Sequence, residues 1–154
     1  MPFILKDTTQ ASPTDIADFE RRVGLKLPED YRNFLAANNG GECHSDGTFR
    51  EAGTNEEISS VNIVLGLRDD PDYDIEQALS GMRERMPASL LPICYDDGGN
   101  YLLLDCSDER RGTVYFLSLE AADEDEEGEP PALESLTVIA RSFSELQAQL
   151  ESNS

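Results

Sequence analysis

The sequence predicts an α+β fold: a single domain spanning residues 1–154, in which an antiparallel sheet has its helices packed on one face. Three observations support this. Apolar residues recur at three- and four-residue intervals near both ends of the chain, which is the period of an amphipathic helix. The middle holds runs of β-branched and aromatic residues joined by short links rich in Gly, Asp and Asn, the pattern of adjacent antiparallel strands. With 154 residues and 38% hydrophobic content, the chain can form one core that buries about two thirds of its unfolded surface. No internal repeat is evident.

The first helix opens at Ser12-Pro13, with Ser12 as N-cap, Pro13 in the first turn and Asp15 returning a hydrogen bond as in a capping box. Its stripe is Ile16, Phe19 and Val23, and Gly24 ends it. After the link Gly24–Leu27, Leu27, Tyr31, Phe34 and Leu35 fall on one face of a second helix. Pro28 fits the first turn, and Glu29 and Asp30 sit at the positive end of its dipole. Asn38, Asn39, Gly40 and Gly41 end it and reverse the chain.

Glu42–Ser60 is polar and rich in Gly, Ser, Thr and Asn, which predicts a loop with a short strand near Thr48–Arg50. Val61–Leu67 reads as a strand or extended segment. Asp69–Asp74 is an acidic turn broken by Pro71. Asp74 then caps a helix from Ile75 to about Met86, with Gly81 inside it and Pro87 as its stop. Leu90–Tyr95 and Tyr101–Cys106 form a hairpin across Asp96–Asn100, and Thr113–Leu119 adds a third strand to the meander. Glu120–Glu129, followed by Pro130 and Pro131, lacks hydrophobic periodicity, so residues 120–131 are expected to be an acidic surface loop. Thr137–Ala140 is extended. A final helix begins at a second capping-box pattern, Ser142 and Glu145, with Phe143, Leu146 and Leu150 as its stripe.

Several of these segments together resemble the SUKH superfamily, the Smi/Knr-type domain. Leu27, Pro28, Asp30, Tyr31, Phe34 and Leu35, followed by Asn39, Gly40 and Gly41, match its most recognisable helix and turn. Phe19 and Glu20 match an upstream pair, and Leu91, Pro92, Ile93, Asp96, Gly98, Gly99 and Asn100 match a downstream segment. Val114 and Tyr115 match a strand, and Ala140 to Leu146 a closing helix. The resemblance covers most of the chain and implies the same α+β architecture. Bacterial members are largely immunity proteins that neutralise a toxin of a polymorphic or contact-dependent system, commonly a nuclease, and fungal members are regulatory or scaffold modules. It therefore implies a non-enzymatic, protein-binding role. The first expectation is a cytoplasmic immunity protein, and the alternative is a regulatory or scaffold interaction module of the Smi/Knr type.

The charge balance bears on the partner. Against 32 Asp and Glu stand 12 Lys and Arg, a formal net charge of -20. Direct binding to nucleic acid is disfavoured, because affinity for phosphate backbones comes mainly from Lys and Arg. A basic protein partner is favoured, such as a nuclease-type toxin domain that must itself engage nucleic acid. Acidity also serves solubility by itself. The carboxylates proposed for partner binding lie in two runs. One is Asp69, Asp70, Asp72 and Asp74, with only Arg68 adjacent. The other is Glu120, Asp123, Glu124, Asp125, Glu126, Glu127 and Glu129, in a stretch without Lys or Arg between Gly112 and Ala140. The bland reading of the second run is a solvated loop with no partner.

No catalytic residue, metal ligand or cofactor is predicted. His44, the only histidine, lies beside Cys43 and Asp46, but a zinc site needs three or four convergent ligands, so an ordinary loop is the expectation there. Asp96–Asn100 lacks the alternating ligands of a calcium loop and reads as a hairpin turn. Cys94 and Cys106 lie in apolar strands and read as buried small hydrophobes. Gly40-Gly41 lacks the Lys and Ser/Thr of a phosphate loop. Three sparse cysteines fit a reducing compartment. No apolar run approaches the roughly 20 residues of a membrane span, and the N-terminus lacks the pattern of an export signal. Cytoplasmic residence is therefore expected.

Overall fold

The computed structural model describes residues 5–6, 8–118, 133 and 136–152, with residues 44–46 and 152 described in their backbone alone. Among these residues seven strands form one antiparallel sheet whose spatial order follows the chain. They are β1 (Leu5–Lys6), β2 (Gly41–Arg50), β3 (Glu57–Val64), β4 (Leu90–Asp96), β5 (Tyr101–Asp105), β6 (Val114–Leu117) and β7 (Thr137–Ala140). Helices α1 (Pro13–Val23) and α2 (Glu29–Ala37) lie between β1 and β2, α3 (Ile75–Met82) between β3 and β4, and α4 (Phe143–Ser152) after β7. This is the α+β arrangement the sequence predicts.

The capping logic of the helices is realised atom by atom. The Asp15 N–H donates to Ser12 Oγ at 3.0 Å and the Ser12 N–H to Asp15 Oδ2 at 3.3 Å, which closes the capping box of α1. Gly24 ends that helix at φ 72, with its N–H on Glu20 O at 2.9 Å. The start of α2 departs from expectation. Pro28 precedes the first helical residue and no side chain caps it. Instead the link is fastened from outside: Glu20 Oε2 accepts the Leu27 N–H at 2.8 Å. Asp30 turns to α4, where its Oδ2 accepts both the N–H and the hydroxyl of Ser144, at 2.9 and 3.0 Å. A carboxylate on a helix N-terminus is favourable, so one residue ties α2 to the start of α4.

Packing follows the same seam. Tyr31 and Phe34 both meet Phe143, with ring centroids 4.9 and 4.7 Å apart. Leu27, Tyr31 and Leu35 are fully buried, each worth about 1.5–3 kcal/mol on transfer from water. The Tyr31 hydroxyl is buried without a hydrogen-bond partner among the described residues, and burial holds the phenol well above its ordinary ionisation range.

Glu42–Ser60, expected as a loop, is instead most of a long hairpin. The strand signal is hidden because β2 is irregular: Glu42 lies opposite Ile63 and Gly47 opposite Val61, so four residues bulge between the two pairs. Alternation of polar and apolar residues cannot survive such a break, and Phe49 is the single large apolar side chain that β2 buries. The end of this hairpin then reaches across to the last strand. The Ala52 N–H donates to Val138 O at 2.8 Å, and Phe49 lies 5.7 Å from the Phe116 ring. Between β2 and β7 sits the Gln149 amide of α4, which accepts the Arg50 N–H at 2.8 Å and donates to Ile139 O at 2.8 Å. The helix extending to about Met86 is also shorter than expected: α3 ends at Met82, a 3-10 turn covers Arg83–Arg85, and Met86 is buried.

Candidate partner-binding surface

The acidic turn after β3 is held by the Asn-Gly-Gly segment that ends α2. Asn39, only 5% exposed, uses its side-chain amide on Leu67: Oδ1 accepts the Leu67 N–H at 2.6 Å and Nδ2 donates to Leu67 O at 3.0 Å. Nδ2 also approaches Thr9 Oγ1 at 3.2 Å. Gly66 packs so closely on Asn39 that a Cβ there would lie 2.5 Å from the Asn39 carbonyl. Gly40, at φ 77, completes the contact from the other side. From this clamp, the Gly66 N–H donates to Tyr73 O at 2.8 Å and its carbonyl accepts the Ile75 N–H at 2.9 Å, closing the turn that carries the four aspartates.

Those four aspartates divide into two kinds. Asp70 caps a short 3-10 turn through the Asp72 N–H at 3.0 Å, and Asp74 caps α3 through the Gln77 N–H at 3.3 Å. Burial raises the ionisation range of Asp74, opposed by backbone hydrogen bonds from Arg68, Gln77 and Glu76. Asp69 and Asp72 have no such capping role among the described residues; they and Asp70 are exposed, and Asp74 is half-buried. Arg68 donates to Asn39 O at 3.2 Å and lies 5.4 Å over the Tyr73 ring, so the adjacent cation is committed to holding the turn.

Folding brings further carboxylates to the turn. A groove of about 400 Å³ is lined by Asp69 and Asp74 together with Asp15 and Asp18 of α1 and Glu76 of α3, interrupted by Arg22 and Arg68. Arg22 pairs with Glu76, with Nε 3.0 Å from Oε1, and this bond raises the guanidinium's ionisation range. Asp18 pairs with Arg21. The sequence reading did not place Asp15, Asp18 or Glu76 at this surface. Asp15 is accounted for by its capping box, and nothing local links it to residues more than fifty positions downstream.

The remaining candidates resolve into structure. Asp96 accepts the N–H groups of Gly98 and Asn100 at 2.9 and 2.7 Å and the Asn100 side chain at 3.1 Å, which makes Asp96–Asn100 the hairpin turn its composition predicts. Cys94 and Cys106 are buried, and burial pushes the Cys106 thiol up to about 12. Cys43 lies on β2, half-buried. Among the described residues no group of three or more His, Cys, Asp or Glu side chains is placed to hold a metal ion, and no helix is long and apolar enough to cross a membrane. One further cluster escaped the sequence reading. Asp105, fully buried, accepts from Arg110 Nε at 3.1 Å, Tyr115 Oη at 3.2 Å and the Ser107 N–H at 2.9 Å, locking the turn between β5 and β6. The second acidic run, Glu120, Asp123, Glu124, Asp125, Glu126, Glu127 and Glu129, lies outside the described residues.

Architecture and surface together define an α+β protein in which carboxylates line an open groove beside a clamped turn. The chain belongs to the SMI1 / KNR4 family (SUKH-1), whose model matches residues 10–149. It is 28% identical over 117 residues to the uncharacterized protein YnaB of Bacillus subtilis (strain 168), an alignment covering 76% of this chain and 65% of that protein. It is 24% identical over 145 residues to the SPbeta prophage-derived uncharacterized protein YokK of the same organism, covering 84% of this chain and 69% of that protein. The chain thus spans just under two thirds of the first of these relatives.

Proposed function

We propose that this protein is a cytoplasmic immunity protein that binds and neutralises a cognate basic toxin domain, of nuclease type, belonging to a polymorphic or contact-dependent system. It acts by occupying the toxin, without catalysis of its own. The observation that carries this reading is a net charge of -20 combined with a carboxylate turn held by a buried clamp rather than left to fluctuate. Family membership supports a protein-binding role, and a basic partner supplies the complement that this surface lacks. The binding surface comprises Asp69, Asp70, Asp72 and Asp74 with the run from Glu120 to Glu129, as rim carboxylates of an interface of roughly 800 Å² per partner.

The test starts from a neighbouring reading frame that encodes a secreted protein with a toxin-like C-terminal domain. Co-expression with that domain is expected to abolish its toxicity, and the two are expected to co-purify with a salt-sensitive association rate. Asp70 and Asp74 cap the turn, so the informative variants are Asp69→Asn with Asp72→Asn, and replacement of Asp123–Glu127 by Ser and Gln. Neutralisation unchanged in both variants excludes this surface. Failure of every neighbouring candidate to bind favours the regulatory or scaffold module.

A further inference from the structure

An interface of carboxylates still needs a desolvated centre, and charged rims contribute little without one. The strongest candidate is the place where the hairpin of β4 and β5 meets α3. Tyr95 and Tyr101 are directly paired across the two strands, with ring centroids 4.8 Å apart at an interplanar angle of 51°. Both are half-buried, and burial raises the ionisation range of the Tyr95 phenol, so at neutral pH it is uncharged. With Pro71, Ala78 and Gly81 they line a shallow depression of about 320 Å³. Gly81 is exposed, and nothing stands within 4 Å of where its Cβ would be, so an approaching chain finds the helix surface open there.

The charge around this aromatic floor selects its occupant. Asp72, next to Pro71, is close enough to act on the Tyr95 hydroxyl, and Asp97, two residues beyond Tyr95, is exposed on the hairpin turn. Arg85 lines the same depression, so an occupant made only of cations meets repulsion at one end. A segment that lays a single guanidinium on the tyrosines, away from Arg85, meets both conditions. The same surface already holds one such contact, the Arg68 guanidinium over Tyr73.

We infer that the Tyr95–Tyr101 depression is the central anchor of the partner interface and receives an arginine side chain from a basic protein. This rests on the binding role proposed above and adds the residue type the partner must supply. Lysine is a poorer fit, because its ammonium is compact and strongly hydrated and cannot stack on a phenol face.

Two measurements separate this inference from the reading beneath it. In the first, the intact protein is titrated with a twelve-residue Gly-Arg repeat peptide and with its Gly-Lys counterpart, while ring proton resonances of the tyrosines are followed. The Arg peptide is expected to shift Tyr95 and Tyr101 ahead of the buried Tyr115 and to bind about threefold to tenfold more tightly than the Lys peptide. Tyr101→Leu, which keeps an apolar side chain at a half-buried position, is expected to erase that preference, and Asp72→Asn to weaken both peptides alike. Equal binding of the two peptides, or a preference that survives Tyr101→Leu, overturns the inference. In the second, Tyr101→Leu is expected to weaken binding of the toxin domain at least tenfold with the circular-dichroism spectrum unchanged. Full neutralisation by this variant overturns the anchor and leaves the immunity reading standing. If no neighbouring domain binds at all, the immunity reading fails and the peptide titration decides the depression by itself.

Discussion

The side-chain amide of Asn39 pairs with the backbone of Leu67 as one peptide group pairs with another, one bond in each direction at 3.0 and 2.6 Å. That pair anchors the start of the turn from Leu67 to Asp74, which the Gly66 backbone bonds to Tyr73 and Ile75 then close. Asn39→Ala leaves a donor and an acceptor unpaired, at about 1–3 kcal/mol each, so unfolding stability is expected to fall by about 2–6 kcal/mol. Asn39→Asp keeps the acceptor but loses the donor and adds a buried charge, and is expected to be no better. Urea titrations with an unchanged slope check both.

Gly66 and Gly24 make a contrasting pair. A Cβ on Gly66 would sit 2.5 Å from the Asn39 carbonyl carbon and oxygen, backbone atoms that cannot rotate away, whereas one on Gly24 would meet nothing within 4 Å. Gly24→Ala therefore incurs only the left-handed backbone cost of about 1 kcal/mol, and Gly66→Ala is expected to cost about 3 kcal/mol or more through forced displacement. Thermal unfolding of the two variants side by side tests the order.

Tyr31→Phe is expected to be neutral or stabilising by up to about 1 kcal/mol, because the hydroxyl it removes is buried and unbonded among the described residues. A loss of more than about 1 kcal/mol in denaturant would reveal a hydroxyl partner outside those residues.

The buried thiol of Cys106 makes stability pH-dependent on the alkaline side. Its folded ionisation lies near 12, against an ordinary value of 9.0, because burial penalises the thiolate. The unfolded chain releases this proton first. The contribution to stability is therefore fully present below pH 9.0 and is lost progressively as pH rises from there toward 12. Cys106→Ala is expected to flatten that part of the stability-pH curve. Alkylation of Cys106 at pH 8 is expected only when denaturant opens the chain, as read by mass spectrometry.

The helices near the two ends of the chain, α1 and α4, were legible because their signals are local, whereas the two-residue β1 gave no sequence signal and is set by its pairing with β2. Ser12 with Asp15 needs only a four-residue window, and so does Ser142, whose Oγ accepts the Glu145 N–H at 3.0 Å. The meander from Leu90 to Leu117 was legible for the same reason: its turns are short and its strands buried. β2 was not, because its pairing is set by β1 and β3 rather than by its own alternation, and its bulge breaks the period. At the candidate surface, composition revealed Asp69 to Asp74 but not that Asp70 and Asp74 cap helical turns while Asp69 and Asp72 do not. Nor did it reveal Asp15 and Asp18, which come from a helix packed alongside. Asn39 read as a turn residue, and only the fold shows that its amide holds the turn from Leu67 to Asp74.

Gln149 has a consequence for how the molecule is made. Its amide links Arg50 to Ile139, and Arg50 precedes it by ninety-nine positions. On a ribosome, which extrudes the amino-terminal part first, the β2–β3 ribbon emerges long before the glutamine that fastens its far end. Until that glutamine emerges, the Arg50 N–H lacks the acceptor it has in the folded protein, although Arg50 already faces Glu57 of β3. This seam closes only after α4 has been made, and contacts this distant in sequence are slow to close.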